Sequence, residues 1–126
     1  MGDIKVRGLD HIVLAVGDTR RSLAWYGEVL GLEPLRVPEW EAGEVFFPSL
    51  RVDATTIIDL VETPRTGVNM DHVCLVVDPV DLAALAASGD VEVVDGPDTR
   101  WGAQGNATSL YIRDPDGNVV ELRHYP

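Results

Sequence analysis

The chain has 126 residues, of which 45% are hydrophobic, and a formal net charge of −11. Its apolar runs are shorter than the ~18 residues that a membrane-spanning helix needs, and an acidic surface repels phosphate groups. We therefore expect neither a membrane nor a nucleic acid as a partner. Residues 1–5 lack the long apolar region of a signal peptide, and the single cysteine, Cys74, excludes an intrachain disulfide and suits a reducing compartment. These features predict a cytoplasmic protein.

The first half of the chain predicts a strand, a helix and three more strands. Residues 8–16 alternate in polarity and are rich in β-branched side chains, which is typical of a strand. Residues 19–30 have apolar side chains at helical spacing, between Asp18 as the N-cap and Gly31 as the C-terminal stop. Further strands are predicted at about 34–38, 44–50 and 54–62, and a linker at 64–67.

The second half predicts the same order of elements. A strand at 70–77 is followed by a short helix, for which we expect Asp78 as the N-cap, Pro79 in the first turn and Gly89 at the end. Three strands then follow at about 91–95, 107–113 and 118–124, the last two joined by a tight turn at 114–118.

The two halves are related by an internal repeat. Residues 9–16, LDHIVLAV, return as MDHVCLVV at 70–77, and residues 57–64, IIDLVETP, return as VVELRHYP at 119–126. A repeat of about 60 residues is too small to bury the inner face of a sheet alone. We therefore predict one domain, residues 1–126, in which module 1 (about 8–63) and module 2 (about 69–126) share a layer of strands or pair with another chain.

Strand periodicity predicts where the polar residues of the repeat point. Successive side chains of a strand face opposite sides, so the bulkier set should meet the helix. By this criterion the four candidate metal ligands all fall on the face away from the helices: His11, His72, Asp59 and Glu121.

These four side chains are predicted to converge on a single metal ion if the two halves pack symmetrically. Two imidazoles with one or two carboxylates suit Zn, Ni, Co, Fe(II) or Mn, and positions left open on the ion would take water or substrate. A carboxylate among apolar residues of a strand is costly unless it is paired or metal-bound. The alternative for each histidine is a buried, hydrogen-bonded structural role. Cys74 shares this face, but its apolar neighbours favour inert packing, whereas Glu62 and His124 have the other parity and are predicted to be surface groups.

At these residues the chain resembles the vicinal oxygen chelate superfamily, which contains glyoxalase I, extradiol dioxygenases, fosfomycin resistance enzymes and bleomycin resistance proteins. The resemblance is carried by residues 9–16, by Asp18 to Gly31, and by 109–122, SLYIRDPDGNVVEL, with Gly102 to Gly105 before it. It implies an α+β fold in which two βαβββ modules form a half-barrel cup around a metal. It also implies a homodimer.

The resemblance also implies roles for single residues. His11, His72 and Glu121 match the metal triad of the superfamily. Asp59 matches the fourth position, which is Glu in glyoxalase I. Because aspartate is one methylene shorter, it would bind the ion weakly, act through water or serve as an acid beside the ligands.

The function predicted on this basis is a divalent-metal-dependent enzyme of lyase, isomerase or dioxygenase type that chelates neighbouring oxygens of a small molecule. Glu121 or Asp59 would move a proton, while Tyr111, Ser109 and Arg123 would line the cup and orient the substrate. Trp40 and Trp101 are expected in loops 36–45 and 95–106, where they would cover the cup; packing in the core or in a dimer interface is the alternative. The competing hypothesis is a metal-free or non-catalytic protein that sequesters an antibiotic or another metabolite.

Overall fold

The computed structural model describes residues 3–64, 67–113, 117 and 119–126. In these parts of the chain it has eight strands and three helices, which confirms the predicted α+β class and the repeated βαβββ order. The elements are β1 (Val6–Val16), α1 (Thr19–Leu30), β2 (Glu33–Leu35), α2 (Val37–Glu41), β3 (Ser49–Arg51), β4 (Ile57–Glu62), β5 (Met70–Val77), α3 (Leu82–Ala87), β6 (Glu92–Gly102), β7 (Gly105–Arg113) and β8 (Val119–His124). None of the helices in these ranges is long and apolar enough to cross a membrane.

The chain divides into two compact units. The first unit is His11–Asp71, and the second unit combines Met1–Asp10 with His72–Pro126. Residues 3–10 therefore fold with the second half of the sequence. A backbone hydrogen bond from the Asp78 amide to the Lys5 carbonyl, 2.7 Å long, is one of the contacts that hold them there.

In the unit His11–Asp71 the strand order is β2-β3-β4-β1. β1 runs parallel to β4, and β3 is antiparallel to both of its neighbours. α1 follows the prediction, because the Asp18 carboxylate accepts a hydrogen bond from the Arg21 amide at 3.0 Å and Gly31 ends the helix in the left-handed conformation, with φ of 72°. The helix packs against β4 and β2.

The segment after β2 differs from the prediction. Residues 37–41 form α2 where the end of a strand and the start of a loop were expected, because Pro38 fits the first turn of a helix and cannot donate to a strand ladder. Pro48 also delays β3, which covers only Ser49–Arg51 rather than 44–50. The linker predicted at 64–67 falls partly on residues 65 and 66, which lie outside the described residues.

In the other unit the strand order is β5-β8-β7-β6. β5 runs parallel to β8, while β7 is antiparallel to both β8 and β6. The predicted cap of α3 was wrong: the helix starts three residues later, where the Asp81 carboxylate accepts a hydrogen bond from the Ala84 amide at 3.0 Å. Asp78 is instead held at the end of β5 by Lys5 and by an exposed ion pair with Arg7.

The sixth strand is much longer than predicted. It continues to Gly102 and forms a hairpin with β7, so most of the loop expected at 95–106 is strand. Gly96 and Pro97 lie within this strand, where two register shifts between Val93 and Asp98 accommodate them, with Gly96 at a φ of 89°. The tight turn predicted at 114–118 falls outside the described residues except for Gly117.

The core of this second unit confirms the predicted side-chain parity. The buried cluster beneath α3 takes every second residue from three strands, and the residues of the opposite parity face away from that helix. The cluster and its surrounding apolar side chains include Leu75 and Val77 of β5, Leu110 and Ile112 of β7, and Val120 and Leu122 of β8. His72, Tyr111, Glu121 and Arg123 therefore lie on the face that does not pack on α3.

Candidate metal centre

His72 and Glu121 form a buried pair in the second unit. The parallel register of β5 and β8 sets Cys74 beside Glu121, so His72 lies one side-chain repeat away on the same face. The His72 Nε2 atom is 3.0 Å from Oε1 of Glu121. Glu121 has no exposed surface and His72 is 8% exposed, so bulk water does not solvate the carboxylate.

The spacing of this pair fits two ligands of a single ion. Two atoms that are each about 2.1 Å from a divalent metal lie about 3.0 Å apart at a right angle and about 3.4 Å apart at the tetrahedral angle. The observed 3.0 Å between Nε2 of His72 and Oε1 of Glu121 falls at the lower end of this range. An imidazole nitrogen and a carboxylate oxygen are also the donors that Zn, Ni, Co, Fe(II) and Mn accept.

Tyr111 adds a hydrogen-bond donor beside this pair. It is the register partner of Glu121 in the β7–β8 ladder, and its ring meets the His72 ring edge-on, with 5.2 Å between centroids. Burial raises the pKa of the Tyr111 hydroxyl, and the charge of Glu121 and a hydrogen bond to it raise this pKa further. Tyr111 therefore keeps its proton at neutral pH, and its O–H donates a hydrogen bond to the Glu121 carboxylate.

The second oxygen of Glu121 is bound by Arg123. Nε and Nη2 of Arg123 lie 3.1 and 3.0 Å from Oε2 of Glu121, and neither side chain is exposed. Burial by itself lowers the pKa of the Arg123 guanidinium, but the charge of Glu121 and a hydrogen bond to Tyr125 outweigh burial and raise it. Arg123 thus stays charged, and its positive charge favours the ionised form of the Glu121 carboxylate, which is the form that a metal ligand needs.

Asp10 and Tyr125 complete this buried polar group, and sequence reasoning missed both. The Tyr125 hydroxyl donates to Oδ1 of Asp10, and Oδ2 of Asp10 accepts the Ala103 amide at 3.0 Å. The Tyr125 hydroxyl also accepts from Nη1 of Arg123 at 3.0 Å. The only signal in the sequence was that Asp10 directly precedes the candidate ligand His11. Because adjacent residues on a strand face opposite sides, strand parity places Asp10 on the other face.

The first unit contains a second imidazole–carboxylate pair. Nε2 of His11 lies 3.8 Å from Oδ2 of Asp59, and each side chain is 2% exposed. β1 and β4 bring the two together, since His11 is paired with Ile57 and Asp59 lies two residues further along β4. A separation of 3.8 Å exceeds the range of about 3.0–3.4 Å calculated above for two ligands of one ion. Asp59 is therefore a poorer ligand than Glu121 in this arrangement.

The other oxygen of Asp59 is bound by Ser49. The Ser49 hydroxyl donates to Oδ1 of Asp59 at 2.5 Å, and both residues are buried. The charge of Asp59 also acts on Arg36. Burial lowers the pKa of the Arg36 guanidinium, and the negative charges of Asp59 and Glu39 partly offset this decrease. Ser49 was missed by sequence reasoning, although it is the register partner of Asp59 as Tyr111 is of Glu121.

The remaining predicted site residues lie on several elements. Ser109 is fully buried opposite Arg123, and its hydroxyl has no hydrogen-bond partner in the described part of the chain. Trp101 belongs to β6, not to a loop, and its carbonyl accepts from Arg123 at 3.0 Å. Trp40 belongs to α2, not to a loop, and its ring lies 5.0 Å from the Arg20 guanidinium. Cys74 is fully buried, in keeping with its expected packing role.

Comparisons with known proteins agree with the predicted resemblance. Residues 8–122 match the Glyoxalase/Bleomycin resistance protein/Dioxygenase superfamily. Lactoylglutathione lyase of Salmonella typhimurium is 32% identical, over 89% of this chain and 88% of its own length. The virulence protein STM3117 of the same organism is 30% identical, over 93% of this chain and 83% of that protein.

Solved structures show the same fold at lower identity. Methylmalonyl-CoA epimerase from Mycobacterium tuberculosis has a TM-score of 0.72 at 20% identity, over 100% of this chain and 93% of that chain. The 2,3-dioxygenase LapB from Pseudomonas has a TM-score of 0.66 at 23% identity, over 93% of this chain and 42% of that one. The match over residues 8–122 and the relatives of 30% and 32% identity show that the chain belongs to the Glyoxalase/Bleomycin resistance protein/Dioxygenase superfamily.

Proposed function

We propose that this chain is a divalent-metal-dependent enzyme whose substrate is a small molecule with neighbouring oxygen atoms. In this proposal His11, His72 and Glu121 hold one ion, and Asp59 lies beside it. The observation that carries the proposal is the buried His72–Glu121 pair, with 3.0 Å between Nε2 and Oε1. The second pair, His11 and Asp59, supports it because the internal repeat gives each half of the chain the same imidazole and carboxylate positions.

The reaction that we favour is proton transfer next to a carbonyl group, of lyase or isomerase type. A lactoylglutathione lyase is among the relatives that match nearly the full length of the chain, and a methylmalonyl-CoA epimerase shares its fold. The dioxygenase with the same fold is more than twice as long, since this chain covers 42% of it. Thioesters and thiol adducts of 2-oxo compounds are therefore the first substrate classes to examine.

Asp59 is the residue that we assign to proton transfer. Its Oδ1 accepts from Ser49, whereas its Oδ2 points toward His11 at a distance too long for a shared ligand. Glu121, by contrast, has Oε2 bound by two nitrogens of Arg123. A proton removed from the carbon next to the carbonyl would go to Oδ2 of Asp59, while the C–H electron pair moves toward the carbonyl oxygen; return of the proton to the same or the adjacent carbon completes the reaction.

The remaining residues would bind and orient the substrate. A bound divalent ion supplies Lewis-acid polarisation of the substrate oxygens. Tyr111, which keeps its proton at neutral pH, can donate to a substrate oxygen near Glu121. The buried Ser109 hydroxyl would find an acceptor in a bound substrate or in a water, because an unpaired buried hydroxyl costs about 1–3 kcal/mol. We further propose a homodimer, which light scattering of the purified protein tests.

Metal content and proton exchange together test this function. Protein purified without chelators is analysed for metals, loaded in turn with Zn, Ni, Co, Mn and Fe(II), and incubated in D₂O with 2-oxo thiol adducts and acyl thioesters. The proposal predicts one ion per site and metal-dependent exchange of the proton next to the carbonyl, followed by proton NMR. His72→Ala should lose both, and Asp59→Asn should keep the ion but lose exchange.

The matched control is His124→Ala, which removes a histidine that has the other strand parity and is not a proposed ligand. It should retain metal and exchange. Metal-free protein that binds aromatic ligands without turnover would favour sequestration over catalysis. A His72→Ala variant with full metal content and activity would refute the ligand assignment.

A further inference from the structure

Arg123 is distinguished from the other arginines of the described chain by being completely buried with a charged guanidinium. Besides Glu121, it donates to the carbonyls of Arg100 and Trp101, both at 3.0 Å, and to the carbonyl of Gly105 at 3.3 Å. Nη1 also donates to Tyr125, and it lies 3.9 Å from Oδ2 of Asp10. Every nitrogen of the guanidinium thus has an acceptor, so the group has a single orientation.

Gly102 makes room for this guanidinium. A Cβ atom placed on Gly102 would lie 1.7 Å from Nη1 of Arg123, 2.5 Å from its central carbon and 2.6 Å from the Tyr125 hydroxyl. These separations are far below van der Waals contact, and the guanidinium is fixed by hydrogen bonds on all sides. A residue with a side chain at position 102 would therefore displace Arg123 from Glu121.

In the first half of the chain the position equivalent to Arg123 has no charge. The repeat that relates Asp59 to Glu121 places Val61 at the position of Arg123. The Ser49 hydroxyl donates to Oδ1 of Asp59 and the charge of Asp59 acts on Arg36, whereas Arg123 donates two N–H groups to a single oxygen of Glu121. The two acids occupy equivalent strand positions but differ in how firmly they are held.

We propose that Arg123 is a positioning residue that leaves Glu121 a single oxygen, Oε1, for the metal. Gly102 allows this position of the guanidinium because it has no side chain to displace it. The proposal rests on the proposed metal site. Because Oε2 accepts two N–H groups of Arg123, Glu121 binds the ion through one atom and keeps one orientation through turnover. Residues that orient a metal ligand change metal affinity by roughly 10–100-fold when they are altered.

Two variants remove this arrangement by independent routes. Arg123→Lys keeps the positive charge but loses the planar fork that binds one oxygen twice, so a change in affinity reports orientation and not charge. Gly102→Ala keeps Arg123 but pushes its guanidinium away. The matched controls are Arg113→Lys, on an arginine that is partly exposed, and Gly8→Ala, where an added Cβ meets no atom within 4 Å.

Affinity for Co²⁺ is measured by its visible absorption and affinity for Zn²⁺ by calorimetry, on protein that circular dichroism shows to be folded. Both Arg123→Lys and Gly102→Ala should bind these ions 10–100-fold more weakly than the natural chain and should alter the Co²⁺ spectrum. The two controls should match the natural chain. Folded variants with lower unfolding temperatures but unchanged affinity and spectrum would overturn the proposal, since they would show a purely structural role.

A separate measurement distinguishes failure of this inference from failure of the proposed function. In metal-free protein the imidazole resonances of His72 report its contact with Oε1 of Glu121. If the natural chain binds neither ion, the proposed function fails, and these resonances decide whether Arg123 holds Glu121. Shifts of the His72 signals in both variants and not in the controls support the positioning role, and unchanged signals refute it.

Discussion

Replacing each acid by its amide should reveal how differently Glu121 and Asp59 are held. Glu121→Gln removes the negative charge on which two nitrogens of the buried Arg123 depend, at 3.0 and 3.1 Å. Loss of one partner of a buried ion pair costs about 3–5 kcal/mol, because the other charge stays buried without compensation. Glu121→Gln should therefore lower the free energy of unfolding of the metal-free protein by about this amount.

The same change at Asp59 should cost less. In Asp59→Asn the amide oxygen can still accept from the Ser49 hydroxyl, which is the 2.5 Å contact of Oδ1. A hydrogen bond between neutral groups contributes about 0.5–1.5 kcal/mol to stability, and one to a charged group contributes about 1.5–3 kcal/mol. Because the variant exchanges the second kind of hydrogen bond for the first, we expect a loss of about 1–2 kcal/mol. The two variants should thus differ by at least about 1 kcal/mol, although their strand positions are equivalent.

Urea unfolding in EDTA, followed by circular dichroism, measures both variants against the natural chain. EDTA ensures that metal binding does not contribute to the difference. Equal slopes with denaturant concentration show that the free energies are comparable. If Asp59→Asn is as destabilising as Glu121→Gln, Arg123 does not make Glu121 the more firmly held acid.

Three further predictions concern the fold. Burial and a hydrogen bond to Asp10 raise the pKa of Tyr125, so the folded state holds the hydroxyl proton more tightly than the unfolded chain does. The free energy of unfolding should therefore fall as pH rises through and above about 10, and it should fall less steeply in Tyr125→Phe. Urea unfolding at several pH values measures both. Asp81→Ala should cost about 1 kcal/mol of stability, because it removes the cap of α3, whereas Asp78→Ala should cost less than about 0.5 kcal/mol; equal losses would contradict the cap assignment. Leu110→Ala, beneath α3, should cost about 2–5 kcal/mol in the same assay, and a loss below about 1 kcal/mol would refute its place in the core.

The sequence predicts the main elements well because each half repeats the same pattern. α1 has the expected length and both expected ends, and β5 has the expected bounds. Strand parity also separates the residues beneath α3 from His72 and Glu121, since one face of each strand must be apolar to pack on a helix. These features depend on local periodicity, which a single sequence displays.

Other features depend on contacts that no local pattern displays. The strand was expected to end at about residue 95, but pairing with β7 carries β6 across Gly96 and Pro97 to Gly102. Asp78 is as good a cap residue as Asp81, and only its contacts with Lys5 and Arg7 show why it does not begin α3. The sequence likewise placed Arg123 on the face of Glu121 without indicating that the carbonyls of a distant hairpin would fix its guanidinium.

In the proposed function one cation binds His11, His72 and Glu121 together. Crystals grown with Zn²⁺ and measured on both sides of the zinc absorption edge test it most directly. We expect one anomalous peak per site, about 2.0–2.2 Å from Nε2 of both histidines and from Oε1 of Glu121. A crystal saturated with zinc that shows no peak there, or a peak that excludes His11 or is bound by both oxygens of Glu121, would contradict it.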